Sequence, residues 1–276
     1  MLISSFAVTG NHSSVARGFK PRKSLGQNFL ISKDIAVIEA KYAKGMTVLE
    51  LGPGTGILTR ELCKSAKHVI AVEKDARLAD AIKTSLKEEN LKIIEADFFS
   101  VDFSKFEGID IMVSNIPYNL SSKLIYWLSG MNIPALICMQ KEFAEHMIAK
   151  PGTRNYSKLS VVSSLSFNVH RVRDVPAGNF YPKPRVDSTI VYLVPKHSQI
   201  GSEALAMISL IMNHKKKRLR NAIVDSSKEL GLTKSEARKI SEGLKDADSR
   251  PFQLEPEQIL EIATQFKGLC KLRTSI

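Results

Sequence analysis

Five short apolar runs rich in β-branched residues, at residues 47–51, 68–73, 91–96, 109–114 and 135–139, alternate with stretches whose apolar residues recur at helical spacing. Runs this short read as strands, and helical stretches between them can serve as crossovers joining parallel strands. Helices are expected at residues 57–65, 76–86, 121–129 and 141–148. The alternation predicts a doubly wound α/β sheet over residues 20–196. Two later alternating runs, 168–173 and 189–194, bracket the proline-rich loop from Pro176 to Pro184 and suggest an antiparallel hairpin at one sheet edge. After Pro195 the strand pattern stops. Residues 202–230, 234–243 and 256–266 read as helices, so a small helical domain is expected over 197–276. Residues 1–19 hold Ser, Asn and Gly without the charged start and apolar centre of a signal peptide, and read as a flexible tail.

Charge bears on the partner. With 40 Lys and Arg against 28 Asp and Glu, the net charge of +12 suits a phosphate backbone. The first expected C-terminal helix carries an apolar stripe of Leu205, Ile208, Met212, Leu219 and Ile223. Lys215, Lys216, Lys217, Arg218 and Arg220 crowd one segment of it. That segment is either an RNA-contacting patch, the favoured reading, or a solvated face. The apolar runs are strand-sized, far short of the roughly 20 residues of a membrane span. Cys63, Cys138 and Cys270 fit neither a disulfide framework nor a metal-ligand spacing and read as buried thiols in a reducing compartment. The expectation is a soluble, cytoplasmic monomer with no metal and no membrane partner.

The chemistry-bearing residues follow the strands. Leu49-Glu50-Leu51-Gly52-Pro53-Gly54-Thr55-Gly56 closes the first strand and opens a helix, where glycines let a nucleotide-like cofactor approach the backbone. Counting from Gly52, the third glycine of a dinucleotide fingerprint falls on Ile57. That departure, with Glu50 beside the turn, disfavours a pyrophosphate and suits the cationic sulfur of S-adenosylmethionine. Glu73 ends the second strand, where a carboxylate can accept both ribose hydroxyls. Asp97 follows the third strand and either accepts the cofactor's adenine amine, with Phe98 against the ring, or caps the next turn. Asn115-Ile116-Pro117-Tyr118 follows the fourth. Its carboxamide oxygen and the Pro117 carbonyl can draw the N–H bonds of an extruded adenine amine, opposing delocalisation of the lone pair into the ring, while Tyr118 offers a stacking face. The plain alternative is a strand-to-loop stop.

Taken in order, these residues resemble the small-subunit ribosomal RNA adenine N6,N6-dimethyltransferases, in their archaeal-type form, over nearly the whole chain. Lys23-Ser24-Leu25-Gly26-Gln27-Asn28-Phe29-Leu30 is similar to that family's first motif, which implies that Asn28 and Leu30 line the S-adenosylmethionine pocket. Phe180-Tyr181-Pro182-Lys183-Pro184-Arg185-Val186-Asp187-Ser188 resembles its late loop, whose first aromatic stacks on the target base. Phe180 and Tyr118 would then clamp the adenine; read without the family, Phe180 plugs the core. Ile116 and Tyr156-Ser157-Lys158 depart from the family pattern locally. The resemblance implies a Rossmann-like, class I S-adenosylmethionine-dependent methyltransferase with a small C-terminal helical domain. It also implies dimethylation of two adjacent adenosines near the 3′ end of small-subunit rRNA within a pre-ribosomal particle. Two other readings stay open: a large-subunit methyltransferase of the antibiotic-resistance type, and a non-catalytic nucleic-acid-binding factor.

Overall fold

The computed structural model describes residues 18–106, 108–196 and 200–266; most of the expected N-terminal tail and Cys270 lie outside them. In chain order the elements begin with β1 (Phe29–Leu30), α1 (Lys33–Ala40), β2 (Thr47–Leu51), α2 (Ile57–Cys63), β3 (His68–Glu73), α3 (Ala76–Ser85), β4 (Leu91–Glu95) and β5 (Ile111–Asn115). There follow α4 (Ser121–Leu128), β6 (Ala135–Gln140), α5 (Lys141–Met147), α6 (Lys158–Ser166), β7 (Phe167–Val175), β8 (Phe180–Tyr181) and β9 (Ser188–Pro195). The chain continues with α7 (Ser202–Asn213), α8 (Leu219–Asp225), α9 (Lys234–Glu242) and α10 (Pro256–Gln265). These elements form two compact units, one of residues 18–121, 133–141 and 170–194, the other of 122–132, 142–169 and 195–266.

The first unit is built on a seven-stranded sheet in the order β4-β3-β2-β5-β6-β9-β7. Neighbours from β4 through β6 pair in parallel, and β9 runs antiparallel to β6. β2 is buried at every residue, as a strand covered on both faces is, with Thr47 and Glu50 buried beside Val48, Leu49 and Leu51. Because β2 to β5 are parallel, the ends of the four motif-bearing strands fall along one edge. The two runs expected to pair at one sheet edge do so: β9 neighbours β7, and β7 is the edge strand. A separate two-stranded sheet pairs β1 with β8 antiparallel, Leu30 opposite Phe180. The core gathers Val48, Ile57, Leu62, Val69, Val113 and Leu136 with Ile35, Ala36 and Ala40 of α1. Ser32 caps α1 by accepting the Ile35 N–H.

The second unit is helical. Val161, Val162 and Leu165 of α6 share a core with Ile208 and Ile211 of α7, Leu219 and Ile223 of α8, and Ile259 and Ile262 of α10. Tyr156, fully buried, donates its hydroxyl to the Leu254 carbonyl at 2.9 Å. The single helix expected over 202–230 is broken: α7 stops at Asn213 and α8 starts at Leu219. The Leu219 and Arg220 amides donate instead to the Ser249 and Ala247 carbonyls, at 2.8 and 3.0 Å. Those distant partners replace the helical ladder, and the break spares four successive cations from sharing little more than one turn.

Candidate active site

The glycine turn shows which ligand its backbone suits. Gly52, Gly54 and Gly56 all have positive φ, and at Gly54 a Cβ would also sit 3.2 Å from the Phe29 ring. Their amides are already engaged. Gly52 N–H donates to the Val72 carbonyl at 2.9 Å, Gly56 N–H to Pro53 at 2.9 Å, and Gly54 N–H to Glu73 Oε2 at 3.1 Å. A pyrophosphate would find none of these three glycine amides free, whereas hydroxyls and a cationic centre need acceptors, and a carboxylate stands here. Glu73 is 6% exposed, accepts the Asp75 N–H through Oε1 at 2.9 Å, and keeps further lone pairs for donors; burial raises its carboxyl above the ordinary range. This donor set fits S-adenosylmethionine. Glu50 is wholly buried beside this turn, and burial pushes its carboxyl up to about 8.

Asp97 caps the turn that follows β4, accepting the Phe99 N–H at 3.0 Å, and pairs with Lys74 at 2.8 Å. Phe98 is buried in an aromatic group, its ring 5.3 Å from Phe99 and 4.8 Å from Phe103. The segment before β1 folds close to the Asn-x-Pro-Tyr turn: a Cβ on Gly26 would meet Asn119 Oδ1 at 2.5 Å and Pro117 Cβ at 3.7 Å. Asn28 donates to the Gly26 carbonyl, Leu30 lies in the core, and Gln27 donates to Asp75 Oδ2 at 3.1 Å. Asp75, held by Arg77 well below the usual carboxylate range at about 2, ties this segment to the end of β3.

At the end of β5, Asn115 donates Nδ2–H to Glu39 Oε2 at 2.8 Å. Its carboxamide oxygen is buried without a hydrogen-bond partner among the described residues. Glu39 was not foreseen. The signal for it is an acid at the i+3 and i+4 positions from Ala36 and Ile35, on the face that α1 buries. The Pro117 carbonyl closes the turn Tyr118–Leu120 by accepting the Leu120 N–H at 2.9 Å. Tyr118 is half-buried, and its hydroxyl is pinned to Ser188 Oγ at 2.8 Å. Phe180 is 4% exposed and packs in the core beside Leu30.

In the helical unit the basic cluster occupies the turn between α7 and α8 and the start of α8. Lys215 donates its ammonium to the Tyr156 and Arg154 carbonyls. Lys217 pairs with Asp225, while Arg218 and Arg220 share Asp248 at 3.0 Å each. Among the described residues no group of His, Cys, Asp and Glu could hold a metal ion, and no helix is long and apolar enough to cross a membrane.

A mixed sheet whose parallel strands end, along one edge, in a glycine turn, a buried carboxylate and an Asn-x-Pro-Tyr turn defines a class I S-adenosylmethionine-dependent methyltransferase. The family described as ribosomal RNA adenine dimethylase matches residues 18–263, and the chain belongs to that family. The probable ribosomal RNA small subunit methyltransferase A of Methanopyrus kandleri is 38% identical over 263 residues, covering 91% of this chain and 94% of that protein. Its counterpart in Pyrococcus furiosus is 38% identical over 252 residues, covering 88% and 91%. Among solved structures, a dimethyladenosine transferase from Plasmodium falciparum superposes with a TM-score of 0.72 at 28% identity, covering 87% of this chain and 98% of that one. The 23S rRNA methyltransferase ErmE gives 0.56 at 26% identity, covering 86% and 100%.

Proposed function

We propose that the chain transfers methyl groups from S-adenosylmethionine to N6 of two adjacent adenosines near the 3′ end of small-subunit ribosomal RNA, two to each, while that RNA sits in a pre-ribosomal particle. The observation that carries the reading is the unpartnered, buried Asn115 oxygen beside a glycine turn whose amides are consumed. The small-subunit relatives, matched over about nine-tenths of both lengths, supply the substrate class. S-adenosylmethionine, when bound, supplies a methyl group on a cationic sulfur with a good leaving group. In this reading Glu73 receives the ribose hydroxyls, Asp97 and Phe98 meet the cofactor's adenine, and Asn28, Leu30, Gly52 and Gly54 border the pocket. Asn115 Oδ1 accepts an N–H of the target amine and aims its lone pair outward. The Pro117 carbonyl, with one lone pair in its turn, has a second for the other N–H. Tyr118 supplies one stacking face and Phe180 the other once it leaves its core packing. Catalysis is then positioning and electrostatics, and the methylated ammonium loses its proton to solvent without a dedicated base. Lys216, Lys217, Arg218 and Arg220 contact RNA, and the enzyme acts as a cytoplasmic monomer.

The test incubates the protein with labelled S-adenosylmethionine and under-methylated small subunits, then maps the modified adenosines. Dimethylated neighbours near the 3′ end are expected. Label on large-subunit RNA instead overturns the substrate assignment.

A further inference from the structure

We infer that Glu39 is a positioning residue for methyl transfer: its carboxylate holds the Asn115 carboxamide by the nitrogen and so selects the oxygen as the atom offered to the target amine. The inference rests on the reading of Asn115 given above. A carboxamide is nearly symmetric in shape, so packing barely distinguishes its two orientations, yet turning it by half a revolution replaces an acceptor with a donor. A donor facing an amine N–H cannot polarise it. Only a neighbour that accepts and does not donate decides the orientation, and an ionised carboxylate is such a neighbour. Glu39 Oε2 lies 2.8 Å from Asn115 Nδ2, and the opposite atom, Oδ1, is the one left without a partner.

The fold delivers this carboxylate deliberately. Ile35, Ala36 and Ala40 anchor α1 in the core, and Glu39 shares their buried face at 0% exposure. An acid placed there without a positioning task would be a net cost, because an apolar residue of similar size suits the site better. The titratable groups facing Glu39 are Glu50 from β2 and Cys138 from β6, both of which add negative charge when ionised. Burial, opposed in part by the Asn115 hydrogen bond, pushes the Glu39 carboxyl up to about 8. Once protonated, it gains an O–H that can donate to Asn115 Oδ1, and the selection of orientation is lost. The kcat therefore rises with pH through this ionisation.

Steady-state kinetics of the full chain on under-methylated small subunits, at pH values from about 6 to about 9, test the inference with Glu39→Gln, Glu39→Leu and Asn115→Ala. A side-chain amide accepts or donates equally, so Glu39→Gln lowers kcat several-fold and flattens the acid limb. Glu39→Leu lowers kcat about tenfold or more, in proportion to the loss of one charge-assisted hydrogen bond. The KM for S-adenosylmethionine stays within about twofold of wild type in both. Circular dichroism and cofactor binding establish folding, and if Glu39→Leu fails to fold, Glu39→Gln alone decides. Wild-type kcat and an unchanged pH profile in the Glu39 variants, with Asn115→Ala inactive, overturn this inference alone. Wild-type turnover in Asn115→Ala overturns the catalytic reading of Asn115 and this inference with it.

Discussion

Replacing Glu50 by Gln should make the protein less sensitive to alkali. Glu50 is 1% exposed, and its Oε2 has no hydrogen-bond partner among the described residues. Burial, with smaller contributions from the nearby carboxyls Glu39 and Glu73, moves it from 4.5 to about 8. The folded state therefore holds this proton more tightly than the unfolded chain does. Stability from the neutral carboxyl is complete below about pH 4.5 and is lost as pH rises to about 8. At about 1.4 kcal/mol per pH unit, Glu50 removes on the order of 3 kcal/mol between about pH 5.5 and pH 8, shared among coupled carboxyls. Urea denaturation of wild type and Glu50→Gln at those two pH values measures it, because the difference between proteins cancels the titrating groups that do not interact with Glu50. The wild type should lose more stability than the variant by that order. Equal losses would mean that Glu50 titrates alike in the folded and unfolded states, which would refute the account of its burial.

Two further outcomes test the pocket and the basic turn. Gly54→Ala places a Cβ 3.2 Å from Phe29 at φ +60°, a left-handed conformation costing roughly 1–2 kcal/mol, so titration calorimetry should show S-adenosylmethionine binding weakened about tenfold; unchanged affinity would remove Gly54 from the pocket. Combined Lys216→Ala, Lys217→Ala and Arg218→Ala should reduce the salt dependence of RNA binding by roughly one log unit per lost phosphate contact, and Asp248→Asn, which frees Arg218 and Arg220, should steepen it. Lys215 is left intact because its ammonium braces the Tyr156 and Arg154 carbonyls. Identical salt slopes in all variants would make the turn a solvated face.

What was legible in the sequence was what depends on local order. β2 and β3 match their expected bounds residue for residue, since strands covered on both faces read as short, mostly apolar runs. The ordered appearance of Gly52, Glu73, Asp97 and Asn115 after successive strands could be read for the same reason: parallel crossovers bring strand ends to one edge whatever the loops do. Helix α6 was not legible, because its Ser and Val content carries little helical preference and its apolar stripe pays off only against α7 and α10. The break between α7 and α8 was hidden because the carbonyls that replace the helical ladder come from residues 247 and 249.

The sequence by itself therefore determined the sheet, its cofactor class and the place of Asn115 at a strand end, because each follows from periodicity or from the chemistry of residues adjacent in the chain. Only the tertiary structure decided the condition of those residues. It spent the glycine amides on Glu73, Val72 and Pro53, buried Phe180 beside Leu30, and turned most of the basic cluster toward carboxylates and carbonyls. It also brought Glu39 against Asn115 across 76 residues of chain. Hydrogen bonding and desolvation act over a few ångströms of space, and nothing local in a sequence records which distant groups will share that space.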